Sequence, residues 1–146
     1  MLNILRGEIL GYEIPSEIIN DFRYLIIRWE KDSEVVIIQW KDFADGQEIR
    51  NGLNKGLELL NQKKAKKWLA DMRDMRAMLK EDQSWVSKEW FPQAILEGIE
   101  TMALVLPSST VADLSVKKLM NEANTDKVKI KYFTNLFNGF SWLKTQ

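Results

Sequence analysis

The sequence predicts an α/β fold: about five strands in a mostly parallel sheet, with an antiparallel N-terminal hairpin strand and about four helices. Two observations support this prediction. Short apolar runs typical of strands alternate with segments in which apolar residues recur at helical spacing, in the order β-β-α-β-α-β-α-β-α. The first two runs, residues 22–30 and 34–41, are separated by only three polar residues, which favours an antiparallel hairpin.

The N-terminal 20 residues differ in character from the rest. Gly7, Gly11 and Pro15 interrupt an apolar pattern, and Ser16 has the chemistry of a helix cap. We therefore expect residues 1–20 to form a loosely structured N-terminal arm, with a short helical turn after Ser16. Residues 21–146 are expected to form a single domain, with the arm packed on it or on a second copy of the chain.

The first long helix has a clear start. Asp45, with Glu48 three residues later, has the spacing of a capping box. Apolar residues then recur at helical spacing to about residue 60. Gly52 and Gly56 lie four residues apart in this helix, which indicates close packing against the sheet.

Residues 66–98 are the stretch from which a binding site is expected. A strand is predicted at residues 67–72, followed by a loop rich in Asp and Arg and by a helix from about Glu81. Pro92 lacks an N–H, so the helix should kink or restart there, and Gly98 is a natural end. In open α/β sheets the loop after a central strand usually binds ligands and partners.

The last third of the sequence predicts two strands and two helices. Residues 101–106 form a short continuous apolar run, as in a strand buried on both faces. Residues 127–133 alternate, with lysines on one face, which predicts an edge strand. Thr134 or Asn135 caps the last helix. If the strands pair in chain order, all crossover helices lie on one face of the sheet, and the other face needs the arm, a second subunit or an apolar ligand to cover it.

Composition excludes several functions. Lys and Arg number 21, as do Asp and Glu, so the net charge of zero gives no support for nucleic-acid binding. The chain has no Cys and no His, which excludes disulfides, thiolate chemistry, a Ser-His-Asp triad and metal sites built on these residues. We expect no cofactor and no metal. No apolar run reaches the ~20 residues needed to span a bilayer, and a cytoplasmic location is predicted.

The segments KKWLADMR, EDQSWVSKEWFPQAI and the terminal YFTN…WL resemble SpoIIAA-like (STAS/SEC14-type) domains of bacteria over about residues 21–146. The run at residues 82–92 is the most specific part. The resemblance implies either binding of a partner kinase, switched by phosphorylation of a Ser in a D-S-[ST]-G motif, or carriage of lipids. Asp71 stands at the motif's Asp, but Met72 and Arg73 replace its hydroxyl residues, so the phospho-serine switch is not expected.

Two groups of residues are candidates for binding a partner or ligand: a charged loop, and the aromatic residues of the helix that follows it. They are Asp71, Arg73, Asp74 and Arg76 in the loop, and Trp85, Trp90 and Phe91 in the helix. Aromatic residues are enriched at binding hot spots, but Trp90 also has the spacing of a core residue. Ion pairs in a solvated loop and simple helix packing are the alternative interpretations.

The leading hypothesis is a non-enzymatic regulatory or protein-interaction domain without a catalytic residue. The alternative is a carrier or sensor of a lipid or other apolar small molecule, motivated by the sheet face expected to be bare. An enzyme that uses Asp or Glu is a third class, for which no carboxylate pair can be nominated. A homodimer through the arm or the bare face is a further expectation.

Overall fold

The computed structural model describes residues 2–6, 13–123 and 126–146. Within these ranges seven strands form one sheet, and the strands lie side by side in chain order. They are β1 (Leu2–Arg6), β2 (Glu13–Asp21), β3 (Leu25–Glu30), β4 (Val35–Trp40), β5 (Lys67–Asp71), β6 (Thr101–Val105) and β7 (Lys129–Phe133). Strands β1 to β4 pair antiparallel, and β4 to β7 pair parallel. The α/β class is confirmed, and the condition of chain-order pairing is met, whereas the sheet is parallel only from β4 onward.

Four helical segments accompany the described strands, as predicted. They are α1 (Gly46–Lys63); a continuous segment of α2 (Lys80–Trp85), a π-helical turn (Val86–Trp90) and α3 (Phe91–Glu97); α4 (Thr110–Ala123); and α5 (Leu136–Lys144). The hairpin, the edge position of β7 and the Asn135 cap of α5 agree with the sequence prediction.

Helix α1 begins and packs as its sequence predicts. The Asp45 carboxylate accepts a hydrogen bond from the Glu48 amide at 2.8 Å, and the Glu48 carboxylate accepts from the Asp45 amide at 3.1 Å. Gly56 lies directly on the sheet, because a Cβ atom there would come within 2.5 Å of Ile38 and 2.6 Å of Trp68. The capping box and the close packing are therefore confirmed.

The described part of the N-terminal 20 residues differs from the predicted loose arm, while Gly7 and Gly11 lie outside the described residues. Residues 2–6 form β1, and residues 13–21 form β2, so the boundary expected at residue 20 falls inside a strand. Ser16 lies within β2, and no helical turn follows it. Pro15, which interrupts the sequence pattern, is accommodated in β2 opposite Ile4. Pairing with β3 supplies the backbone partners that the segment lacks by itself.

The sheet separates two apolar cores. Helices α1 to α4 cover one face, against side chains that include Ile38, Trp68 and Met102. Helix α5 covers the other face, burying Leu136 and Phe140. The predicted bare face is therefore covered by the chain itself. Because α5 follows the last strand, it is not a crossover and is free to pack on the opposite side of the sheet.

Candidate functional site

The segment between β5 and α2, residues 72–79, has no regular secondary structure, and we call it the connector loop. Met72, Met75 and Met78 are buried, whereas Asp74 and Arg76 between them are exposed. The three-residue spacing of the methionines thus places them all on the inner side of the loop. Backbone hydrogen bonds attach the first part of the loop to its neighbours, with Met72 N–H donating to the Val105 carbonyl at 3.0 Å.

A cavity of about 60 Å³ lies beneath the connector loop, between the sheet and α1, the π-helical turn, α3 and α4. Its lining is apolar and combines aromatic, aliphatic and thioether side chains. The lining residues are Trp40, Leu53, Trp68, Ala70, Met72, Met75, Met78, Val86, Trp90, Phe91, Met102, Leu104, Val116, Leu119 and Met120. All five methionines that follow Met1 in the sequence are among them. Methionine side chains are unbranched and adaptable, so this lining can adjust to an occupant.

The π-helical turn positions two aromatic residues of the cavity lining. The Phe91 amide donates to the Val86 carbonyl, five residues back, and Pro92 has no N–H to donate to Lys88. The sequence predicts a kink or restart at Pro92, and the structure shows a π-helical turn just before it. Such turns frequently occur at functional sites. Trp90 and Phe91 are consecutive in sequence, and both are buried and line the cavity.

Trp90 carries an unpaired polar atom into this apolar surrounding. Its side chain is 3% exposed, and its ring lies 5.2 Å from the Trp68 ring and 5.4 Å from the Phe91 ring. Among the described residues no group accepts a hydrogen bond from its Nε1 atom. Buried indole N–H groups usually have a hydrogen-bond partner, so the Trp90 Nε1 atom is an exception.

The four charged candidates from the sequence are not brought together into one site. Asp71 is buried at the end of β5, and Arg73 makes two hydrogen bonds of 2.8 Å with its carboxylate. Asp74 is exposed on the outer side of the connector loop. Arg76 is also exposed, and its Nε atom lies 3.5 Å from the Asp42 carboxylate. This geometry gives Asp71 and Arg73 a role in holding the loop.

The three aromatic candidates also lie at two different places. Trp90 and Phe91 line the cavity, whereas Trp85 is half-buried and lies outside the lining. The Arg50 guanidinium from α1 lies 5.2 Å from the centre of the Trp85 ring, a cation–π contact that joins α1 to α2. Nearby, burial raises the pKa of the Asp82 carboxyl, Glu81 and Asp45 add to the shift, and Arg50 opposes it. Trp85 therefore belongs to the junction between the two helices.

Sequence reasoning missed a buried arginine on the α5 side of the sheet. Arg28 lies within β3 and donates to the Gln39 side chain at 3.1 Å and to the Ser16 hydroxyl at 3.4 Å. Burial lowers the pKa of its guanidinium, and the carboxylates of Asp71 and Asp21 oppose this shift. The sequence signal was a single Arg inside the apolar run LIIRW.

Sequence reasoning also missed the cavity, although the pattern M-x-x-M-x-x-M at residues 72–78 was a signal for its methionine lining. Met102 and Met120 lie far along the chain from that pattern. Only the fold shows that they share one cavity with Met72, Met75 and Met78.

Comparisons with protein-family models, with curated proteins and with solved structures found no match for this chain. The resemblance to SpoIIAA-like domains therefore stays a prediction. Across the described ranges, no helix has the length and apolar character required to cross a membrane. What the fold and site define is a class: a mixed α/β domain with an apolar cavity at its sheet.

Proposed function

We propose that this chain is a non-catalytic binding domain that holds a small apolar molecule in the cavity beneath the connector loop. One observation carries the proposal: all five methionines after Met1 surround this cavity, together with Trp40, Trp68 and Trp90. The core on the opposite face of the sheet contains none of these methionines. Methionine is thus concentrated where an adaptable wall is useful, rather than spread as a general packing residue.

The cavity limits the size and affinity of its occupant. A ligand of about five non-hydrogen atoms is limited to about −7.5 kcal/mol, which corresponds to a Kd in the low micromolar range. Each buried methylene contributes about 0.8 kcal/mol of the hydrophobic driving force. The volume of about 60 Å³ therefore favours a compact apolar molecule, unless the methionine side chains move to enlarge the space.

Access through the connector loop is the second part of the proposal. The loop supplies three lining residues, Met72, Met75 and Met78, and has no regular secondary structure. The Met72 and Met75 amides have backbone acceptors within the described chain, as the start of the loop is anchored to β6 and to itself. In the later part, the Met78 carbonyl accepts from the Gln83 side chain at 2.8 Å, and the Leu79 carbonyl accepts from the Asp82 and Gln83 amides. We therefore propose that residues 76 and 77 are the stretch that moves to admit a ligand.

The exposed apolar residues do not add support for a protein partner. Among the large apolar residues that the structure describes, the largest exposed fractions belong to Leu79, Leu96 and Leu114, which lie on the connector loop, α3 and α4. Apolar residues scattered singly on a surface are normal and need no partner to explain them. The regulatory or protein-interaction function stays a prediction from the sequence.

The proposal is tested by identifying what the protein carries from its own cells. We would analyse sealed samples of purified protein by gas chromatography and mass spectrometry, releasing bound molecules by heat and by organic solvent. The matched control is Ala70→Leu, in which a larger side chain fills the cavity from β5. We expect a small apolar compound with the natural protein and its loss from the variant. Equal recovery of every compound from both proteins would contradict the proposal.

A further inference from the structure

We propose that a groove on the α5 side of the sheet binds a small zwitterion with an apolar body, as in a free amino acid with an apolar side chain. The groove lies between α5 and the turn that joins β3 to β4, and its volume is about 330 Å³. Pockets for small molecules usually measure about 300–1,000 Å³. The groove is lined by Pro15, Glu30, Asp32, Ser33, Phe137, Phe140, Ser141 and Lys144. It lies across the sheet from the methionine-lined cavity, so the inference does not depend on the proposed function.

One wall of the groove is the turn at residues 31–34. The Glu30 carboxylate accepts hydrogen bonds from the Asp32 amide at 3.1 Å and from the Ser33 amide at 2.9 Å. Glu34 completes the turn in the left-handed region, with a φ of 58°. Glu30 is only 5% exposed, so its carboxylate holds the turn in place and is not offered to a ligand. Asp32 is exposed and supplies the negative charge of this wall.

The other wall is one side of α5. Its members follow Phe137 by three, four and seven residues, a helical spacing that places them on the same side: Phe140, Ser141 and Lys144. Phe140 is buried in the core on the sheet, whereas Phe137 is 39% exposed. Lys144 is exposed, and its Nζ atom lies 5.7 Å from the centre of the Phe140 ring. This cation–π contact keeps the ammonium group beside the apolar part of the groove.

The two walls carry opposite charges, and this decides the class of ligand. Neither Asp32 nor Lys144 forms an ion pair with another residue that the structure describes. A ligand with an ammonium group and a carboxylate can pair with both of them. A simple cation or anion would pair with one and lie near a like charge. An apolar side chain on the ligand matches Pro15 and Phe137, which line the same groove.

The test titrates the full chain with three probes of similar shape: free phenylalanine, phenethylamine and 3-phenylpropionate. The first carries both charges, the second only the positive charge and the third only the negative charge. NMR of the backbone amides shows where each probe binds. We expect free phenylalanine to shift the Asp32, Ser33 and Ser141 amides in a saturable way, and to bind about twofold to fivefold more tightly than either other probe.

Two charge variants assign the two ends of the ligand. Lys144→Met should weaken binding of phenylalanine and phenylpropionate about twofold to fivefold and should not weaken binding of phenethylamine. Asp32→Asn should weaken binding of phenylalanine and phenethylamine by a similar factor and should not weaken binding of phenylpropionate. Lys118→Met, at an exposed position of α4 across the sheet, is the matched control and should leave all three affinities unchanged.

Three outcomes would overturn the inference. They are equal binding of the three probes to the natural chain, absence of saturable shifts at the groove amides, and affinities in Lys144→Met that equal those in Lys118→Met. None of them bears on the cavity, whose methionine methyl signals report separately on its own ligand. Because the changed residues are exposed, the variants should fold, and the comparison of probes on the natural chain needs no variant.

Discussion

Asp71 and Arg73 fix the point where the chain leaves the sheet and enters the connector loop. The Asp71 side chain is 2% exposed and that of Arg73 is 17% exposed, so little water surrounds the pair. The guanidinium contacts the carboxylate through Nε and Nη2, and the Arg73 amide also donates to the Asp71 carboxylate at 3.3 Å. Met72 lies between the two residues and lines the cavity. The ion pair therefore also fixes one wall of the proposed site.

Removing the Arg73 side chain should show how much the Asp71–Arg73 pair contributes to stability. Arg73→Ala removes two guanidinium hydrogen bonds from the buried Asp71 carboxylate, near which Arg28 remains, so we expect a loss of about 3 kcal/mol in the free energy of unfolding. Arg76→Ala makes the same chemical change at an exposed ion pair and should cost less than ~1 kcal/mol. Urea denaturation of both variants gives the comparison. Equal costs would show that the Asp71–Arg73 pair does not hold the loop.

Helix α1 is seated on the sheet through its glycines. Exchange of Gly for Ala inside a helix ordinarily stabilises it by about 1 kcal/mol. At Gly56 the opposite is expected, because the new methyl group would collide with Ile38 and Trp68. Trp68 also lines the cavity, so the position of α1 bears on the shape of the site.

Gly56→Ala should therefore destabilise the protein by about 1–3 kcal/mol, the usual cost of overpacking. Asn54→Ala, at an exposed position of the same helix, is the control and should leave the stability nearly unchanged or slightly raised. Thermal and urea unfolding measure both. A Gly56→Ala variant as stable as Asn54→Ala would mean that α1 does not press on the sheet as described.

The elements that could be predicted are those whose cause is local. The capping box at Asp45 and the end of α3 at Gly98, which has φ +115°, depend on a few neighbouring residues. Strands β1 and β2 could not be predicted, because their backbone partners come from pairing along the whole sheet. The position of α5 was missed for the same reason: its apolar stripe is evident in the sequence, but not the face it covers.

Across the whole molecule, the two faces of the sheet are packed differently. Helix α5 closes one face with a core of aliphatic and aromatic side chains. The other face holds the methionines and the cavity. The cavity could not be predicted, since its lining joins Trp40, Met72 and Met120 from three distant parts of the sequence. The sequence indicated the aromatic helix and the apolar-ligand alternative, but the sheet face that it left bare for that ligand is covered by α5.

The most direct test of the central claim is whether the cavity takes up an apolar molecule in solution. Methionine methyl groups labelled with carbon-13 would be followed by NMR while xenon is added to the natural chain and to Ala70→Leu. We predict saturable shifts of the signals from the five methionines that line the cavity, and none in the folded variant. Absent or non-saturating shifts in the natural chain, or equal shifts in Ala70→Leu, would contradict the claim.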